Sequence, residues 1–165
     1  AIAGIYGHFV LHRLAAFEEK PADATQLRRR WQAQIAAGYP YLVAEDDGPG
    51  GRILGYASAG PYRTRPAYRF TVEDSVYVAP DAARRGVGGA LLDAVIDACA
   101  AKGYRQMIAV IGDSGNAPSI GLHSSRGFRL VGTFASIGFK HGRWVDTVLM
   151  QRPLGEGSDS LPLSV

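Results

Sequence analysis

The sequence predicts an α/β domain in which helices pack against a central sheet of mixed strand direction. Two helix-like segments come first, two strand-like runs follow, and strand–helix–strand units occupy the second half. The 165 residues are 47% hydrophobic and 20% charged, which suits one domain with a substantial core. We therefore expect a single domain over residues 1–152 and a flexible C-terminal tail over residues 153–165, which has little bulk.

Apolar residues recur at helical spacing in residues 2–11 and again in residues 26–37. The second segment is expected to turn three large side chains toward the core, namely Leu27, Trp31 and Ile35. Either Asp23 or Thr25 can cap this helix, because short polar side chains accept hydrogen bonds from the first N–H groups. We interpret the arginines at 28–30 as a solvated face.

Six further runs are rich in β-branched, aromatic and other apolar residues and are bounded by turn residues. Strands are expected at 41–45, 53–59, 68–78, 107–111, 128–134 and 145–151. A polar, glycine-rich loop of hairpin type separates the first two runs, and a loop rich in Lys, His and Gly joins the last two. Helices are expected after the third run, ending near Gly103, and from about Ala117 to Gly127.

A strand, a loop and a helix follow one another in residues 73–99, and we expect this unit to organise the site. Pro80 ends the strand because it has no N–H for the ladder. Gly86, Gly88 and Gly89 then open the helix. Such glycines let a ligand approach the backbone, and the unpaired N–H groups of the first turn favour an anion such as a pyrophosphate. A glycine-rich connection without a ligand is the alternative.

Several classes of protein are disfavoured by what the sequence lacks. There is no Gly-Lys-Ser/Thr ending of a P-loop, and no Gly-x-Gly-x-x-Gly directly behind the strand. The net charge of +3 without a basic–aromatic pattern suits an anionic small molecule rather than nucleic acid. A single cysteine, Cys99 on the apolar helix face, excludes an internal disulfide and suits a reducing compartment. With no signal peptide or membrane-spanning run visible, we expect a cytoplasmic protein without a membrane partner.

Three blocks of the chain resemble the GNAT N-acyltransferase superfamily and, within it, the phosphinothricin/methionine sulfoximine N-acetyltransferase family. They are TVEDSVYV at 71–78, APSIGLH at 117–123 with Gly127-Phe128, and KHGRWVD at 140–146. The resemblance implies the GNAT fold, a mixed and mostly antiparallel central sheet flanked by helices. Family members begin with an additional strand before the first helix, and we expect this chain to lack that first strand.

The resemblance implies acetyl-CoA as the acyl donor and no metal. The backbone of Val76, Tyr77 and Val78 would pair with the pantetheine arm. The cofactor's pyrophosphate would lie on the loop formed by Arg84, Arg85, Gly86, Val87, Gly88 and Gly89, and Asn116 would contact the cofactor from the other side. Ala83 departs from the superfamily pattern, which has Gln or Arg there, so backbone donors are expected to provide most of the contact. Arg84 and Arg85 can equally be a solvated pair.

Two side chains are expected to carry the chemistry. By the resemblance, Glu73 is the base that takes a proton from the acceptor ammonium, and a buried carboxylate with a raised pKa suits that role. His123 stands where many GNAT relatives have the tyrosine that protonates the departing thiolate, and imidazole titrates near neutral pH. The main-chain N–H of Val76 would stabilise the oxyanion. An ordinary strand Glu and a structural helix His are the alternatives.

The acceptor is expected to contact residues from several segments. The predicted substrate-binding residues are Phe17, Arg63, Arg65, Tyr68, Glu73 and Ser75. The two arginines suit a carboxylate and a phosphinyl or sulfonyl oxygen, although solvated or core positions are the alternative for these side chains. His141, Trp144 and Asp146 would shape the pocket or a dimer contact, since family members are typically homodimers.

The sequence thus predicts an acetyl-CoA-dependent N-acetyltransferase for the α-amino group of a small amino-acid analogue. Phosphinothricin, methionine sulfoximine and methionine sulfone represent the acceptor class that the resemblance implies. Two alternatives are a GNAT enzyme for another small amine and an acyl-CoA-binding module without catalysis.

Overall fold

In a computed structural model, which describes residues 1–162, six strands form one sheet with helices against both of its faces. The helices are α1 (Ile2–His12), α2 (Ala24–Ala36), α3 (Val87–Ala101) and α4 (Ala117–Ser124). The strands are β1 (Tyr41–Glu45), β2 (Ile53–Pro61), β3 (Thr71–Val78), β4 (Gln106–Gly112), β5 (Arg129–Lys140) and β6 (Arg143–Pro153). Their order is β1-β2-β3-β4-β6-β5, and only β3 and β4 run parallel. This sheet confirms the predicted fold class.

Successive residues of β2 point to opposite faces of the sheet, and each face has its own apolar cluster. Ala57 and Ala59 belong to the larger cluster, which α3 covers with Leu92 and Val95. Leu54 and Tyr56 belong to a smaller cluster that includes Ile5 of α1. Helices α1 and α3 therefore bury opposite sides of the same strands.

Helix α2 does not bury the side chains that its spacing predicts. Trp31 is 42% and Ile35 is 46% exposed, and no residue of the helix is buried. Leu27 and Trp31 face β1 and β2, as predicted, but within residues 1–162 they are not buried, because α2 lies at the sheet edge beside α1 and β1. At its start the structure selects Asp23 as the cap, whose side chain accepts from the backbone N–H of Gln26 at 2.8 Å.

The last two strands are longer than the sequence predicts, and the predicted loop between them is a tight turn. β5 continues to Lys140, and β6 begins at Arg143. His141 and Gly142 both have positive φ, the conformation that two-residue hairpin turns favour. The pairing of β5 with β6 is interrupted between Phe134 and Gly138. Because the interruption breaks the alternation of residue types, the sequence pattern does not show β5 as one continuous strand.

The core extends beyond residue 152, where the sequence predicts the domain to end. Leu154 is 1% exposed within the larger apolar cluster, and its N–H donates to the carbonyl of Arg105 at 3.0 Å. The boundary was misplaced because one buried leucine in a stretch of small polar residues has no periodic pattern. Flexibility of the rest of the tail stays a prediction, and residues 163–165 lie outside the described residues.

Leu154→Ala should lower the free energy of unfolding by about 2–5 kcal/mol, because it removes a fully buried side chain and leaves a cavity. Leu161→Ala is the matched control, since Leu161 is 90% exposed and its truncation should change stability by no more than about 0.5 kcal/mol. Urea unfolding at one protein concentration measures both. Equal, small effects would place the end of the core before residue 154.

Candidate active site

The central feature of the site is the point where β3 and β4 separate. These parallel strands pair over three positions, the last of which joins Glu73 to Ile108. Beyond that point β3 still pairs with β2 on its other side, and β4 still pairs with β6. One edge of β3 therefore presents unpaired backbone groups from Asp74 onward, as an exposed strand edge does when it accepts an extended ligand.

A cavity of about 280 Å³ lies in this gap. Side chains from β3, from α4 and from the connection after α1 line it, among them Tyr6, Phe17, Glu73, Ser75, Asn116 and His123. A second cavity of about 450 Å³ shares Ala15, Gly112 and Asn116 with the first, and reaches Val78, Pro80 and Ala83 at the start of the glycine loop. Together they line a path from Glu73 toward the start of α3.

Glu73 is half-buried on the wall of the first cavity. Burial raises the pKa of its carboxyl group, the neighbouring charge of Asp74 raises it further, and the Arg63 guanidinium opposes part of the shift. A carboxylate with a raised pKa holds an abstracted proton better than an ordinary one. The geometry thus suits the predicted role of a general base, which stays a prediction.

Asp74 and His123 form a buried pair that the sequence analysis missed. Adjacent strand residues point to opposite faces, so Asp74 turns away from Glu73 and toward α4. His123 is 4% exposed, and its Nε2 lies 3.0 Å from Oδ2 of Asp74. Its Nδ1 lies 2.8 Å from the carbonyl oxygen of Ser119. A carbonyl can only accept, so Nδ1 carries a hydrogen, and Nε2 shares a second proton with Asp74.

The pKa of His123 reflects competing effects. Burial by itself lowers it, but the hydrogen bond and the charge of Asp74, with the Ser119 carbonyl, raise it above its ordinary value. Both ring nitrogens are engaged, so proton transfer from the imidazole to a bound thiolate would pass through Asp74 or require the ring to turn. The other carboxylate oxygen of Asp74, Oδ1, is buried and has no hydrogen-bond partner among residues 1–162. The one feature of the local sequence that pointed to Asp74 was the pair of adjacent acidic residues at 73–74.

The glycine loop has the conformation that an anion site needs. Gly86 precedes α3 with a φ of 81°, and no side chain caps that helix. Arg84 and Arg85 are exposed beside it. The first N–H groups of α3 have no partner within the helix and carry the positive end of its dipole. Gly88 packs near Val78 and Leu122, so the loop also joins α3 to the cavity walls.

The other predicted substrate residues divide into two groups. Phe17 and Ser75 line the first cavity with Glu73. Arg63, Arg65 and Tyr68 are exposed on the segment before β3 and do not line it. The Arg63 guanidinium lies over the Tyr62 ring at 4.9 Å, and its charge acts on Glu73.

Several predicted residues have clear structural contacts. The amide oxygen of Asn116 accepts from the N–H of Ser119 and caps α4, while the residue also lines both cavities. Asp146 accepts from the Ser114 hydroxyl at 2.6 Å and from the Ser136 N–H at 2.8 Å, which holds the interruption in β5. Trp144 is 64% exposed, and His141 lies in the hairpin turn.

Cys99 is fully buried in the larger cluster, as its helical position predicts. Burial and the nearby charge of Asp74 raise the pKa of its thiol to about 12. Within residues 1–162, no group of three His, Cys, Asp or Glu side chains could hold a metal ion. Over the same range, no helix is long and apolar enough to cross a membrane.

Comparison with known proteins gives consistent matches. The model of the acetyltransferase (GNAT) family matches residues 7–128. The chain is 55% identical to a phosphinothricin N-acetyltransferase of Alcaligenes faecalis, over 98% of this chain and 81% of that protein. It is 43% identical to an L-methionine sulfoximine/L-methionine sulfone acetyltransferase of Pseudomonas paraeruginosa, over 91% and 86%. A crystal structure of a phosphinothricin acetyltransferase from Sinorhizobium meliloti with AcCoA superposes with a TM-score of 0.92 at 45% identity, covering 99% and 91%.

Asp74→Asn should lower the pKa of His123, because the amide removes the charge that favours the imidazolium. Because the pKa of His123 is higher in the folded than in the unfolded protein, protonation of His123 stabilises the fold. This stabilisation is fully present at pH values below the ordinary pKa of about 6.5, and it is lost as the pH rises through the raised pKa. In the variant this loss should shift to lower pH. NMR titration of the imidazole, assigned with His123→Gln, and unfolding against pH measure the effect.

Asp97→Asn is the control, since Asp97 is an exposed aspartate on α3. It should leave the His123 titration where it is in the unmodified protein. An unchanged titration in Asp74→Asn would mean that the carboxylate does not hold the proton of His123.

Proposed function

Because this chain belongs to the GNAT acetyltransferase family and is an N-acyltransferase, we propose that it acetylates the α-amino group of a small amino-acid analogue with acetyl-CoA. Acceptors of the phosphinothricin, methionine sulfoximine or methionine sulfone type are the proposed class, since similar proteins carry these names. The observation that carries this proposal is the half-buried Glu73, with a raised pKa, at the point where β3 and β4 separate.

Acetyl-CoA is proposed to lie along the free edge of β3. Backbone groups of Val76, Tyr77 and Val78 would pair with the amides of the pantetheine arm, as an added strand would. The N–H groups at the start of α3, together with the glycine loop at 84–89, would hold the pyrophosphate. The neutral and exposed Ala83 supports a contact made mainly by backbone donors. The second cavity, between Val78 and Asn116, supplies room for the arm.

The proposed reaction begins with proton transfer from the acceptor ammonium to Glu73, directly or through a water. The neutral amine then attacks the thioester carbonyl, and the Val76 N–H donates to the oxyanion that forms. When the tetrahedral intermediate collapses, its nitrogen gives up the remaining extra proton to water, the C–S bond breaks and the CoA thiolate leaves. The Asp74–His123 pair holds a proton beside the cavity, and we propose that this pair supplies the proton that the thiolate takes up.

The acceptor is proposed to occupy the first cavity. Its volume of about 280 Å³ suits a molecule of amino-acid size. Phe17 and Ser75 would contact it from two walls, and Arg63, an exposed residue whose charge acts on Glu73, would pair with an anionic oxygen. Arg65 and Tyr68 would contact it only after their loop moves toward the cavity. An enzyme for another small amine is the competing proposal, and a panel of acceptors separates the two.

We also propose a cytoplasmic homodimer. The unpaired Cys99 supports a reducing compartment. Several large apolar side chains on β5 and β6 are exposed in the single chain, which supports burial against a second copy: Leu130, Val131, Phe134, Ile137, Phe139 and Trp144. A monomeric mass in sedimentation velocity would contradict the dimer.

Glu73→Gln should lower kcat/KM at neutral pH by about 10²–10⁴-fold, the usual effect of losing a positioned general base. Acetyl-CoA affinity should persist, because the proposed cofactor contacts come from the backbone and the glycine loop. Raising the pH should restore part of the rate, since more of the amine is then already neutral. Thiol release against pH, with saturating acetyl-CoA and a panel of amino-acid analogues, measures this.

Glu45→Gln, at an exposed strand position, is the control for that substitution and should leave the rate unchanged. Near-normal activity of Glu73→Gln would exclude Glu73 as the base. A loss of acetyl-CoA binding as well would make its role structural. If the unmodified protein released no thiol with any analogue, the proposed acceptor class would fail.

Arg63→Ala should raise the KM for a carboxylate-bearing acceptor by at least about tenfold, because a lost charge-assisted contact costs about 1.5–3 kcal/mol. Removing the guanidinium should also raise the pKa of Glu73, which Arg63 now lowers. The acidic limb of kcat/KM against pH should therefore move to higher pH. Arg65→Ala, two residues away, should have the smaller effect on KM, because Arg63 and not Arg65 acts on the Glu73 carboxyl group. The reverse order would assign the acceptor contact to Arg65.

A further inference from the structure

Lys140, the last residue of β5, is a buried cation whose charge is met by backbone oxygens. It is 3% exposed, and within the described chain no carboxylate forms an ion pair with it. Its Nζ donates to the carbonyl of Arg13 at 2.9 Å and to the carbonyl of Ala16. A buried ammonium is costly unless such hydrogen bonds compensate it, so these two contacts hold the side chain and the distant segment together.

The segment that Lys140 holds is residues 13–17, which connect the end of α1 to the rest of the chain without a helix or strand of their own. Ala15, Ala16 and Phe17 form one wall of the cavity that contains Glu73. Because no repeating backbone hydrogen bonds fix such a segment, its position depends on what it contacts.

Two glycines beneath this segment provide independent evidence that it is closely docked. A Cβ at Gly138 would lie 2.5 Å from the Phe17 ring, and a Cβ at Gly112 would lie 2.8 Å from the same ring. Real Cβ atoms do not approach other atoms so closely, so any side chain at either position would displace Phe17. The sheet surface under Phe17 therefore accommodates the ring only because two strands have glycine there.

We infer that Lys140 is a positioning residue for acceptor binding: it clamps residues 13–17 by their carbonyls and thereby sets the place of Phe17 in the cavity. This inference rests on the proposed function, and it gives the first residue of the KHGRWVD block a role of its own. Arg13, Leu14 and Ala15 also line the second cavity, but Phe17, the side chain that the clamp places, lines only the cavity with Glu73. The proposed cofactor contacts come instead from the backbone of β3 and from the glycine loop. The clamp should therefore affect the acceptor more than acetyl-CoA.

The principal test is Lys140→Met, which keeps a long apolar side chain but removes the donors. We expect the KM for the acceptor to rise by at least about tenfold, with kcat and the Kd for acetyl-CoA changed by less than about threefold. Amide hydrogen exchange in residues 13–17 should become faster without any ligand. Lys102→Met, at an exposed lysine after α3, is the matched control and should change none of these. Lys140→Arg, which keeps charged donors, should recover part of the acceptor KM.

A second variant tests the same wall with the clamp intact. Gly138→Ala places a methyl group against the Phe17 ring and should likewise raise the acceptor KM. This variant therefore still tests the role of the Phe17 position if Lys140→Met does not fold. An unchanged acceptor KM in both folded variants, or an equal loss of acetyl-CoA affinity, would overturn the inference. If the unmodified protein transferred no acetyl group, the proposed function would fail, while unchanged hydrogen exchange in Lys140→Met would still refute the clamp.

Discussion

Parallel strands β3 and β4 exchange backbone hydrogen bonds over three residue pairs and then diverge after Glu73. The rest of the site depends on this divergence. It exposes one edge of a strand whose other edge remains fully paired, and it opens a cavity whose wall is that edge. A ligand with amide groups can satisfy the exposed backbone as a neighbouring strand would, so the sheet itself provides a binding surface without any dedicated side chain.

The divergence also places two kinds of acid–base group on the same short strand. Glu73 faces the cavity and has a pKa raised mainly by burial. Asp74, one residue later, faces the other way and binds the ring of His123. A half-buried carboxyl group with a raised pKa and a pair that holds a proton are thus separated by the alternation of a β-strand. This separation keeps the carboxylate of Glu73 out of the hydrogen bond that engages the imidazole.

The wall opposite β3 has a different origin, because residues 13–17 have no regular structure and are held by the far end of the chain. Lys140 binds the carbonyls of Arg13 and Ala16, and Asp146 fixes the interruption of β5 through the N–H of Ser136. The hairpin of β5 and β6 therefore supports the cavity from outside. A cavity that combines a rigid sheet edge with a docked segment can vary through the segment while the sheet edge is preserved.

Sequence patterns alone predicted most of the helices and strands, the glycine loop and the burial of Cys99, and the family resemblance pointed to Glu73. Those features depend on periodicity, turn residues and motifs, which neighbours in the chain specify. The exposure of Trp31 and Ile35, the burial of Leu154 in the core and the position of Arg65 outside the cavity became apparent only in the folded structure. It alone also revealed the Asp74–His123 pair and the contacts of Lys140, since each joins residues 49 to 127 positions apart. Local sequence patterns carry no information about contacts between residues so far apart in the chain, because burial and hydrogen-bond partners are established only when the elements pack together.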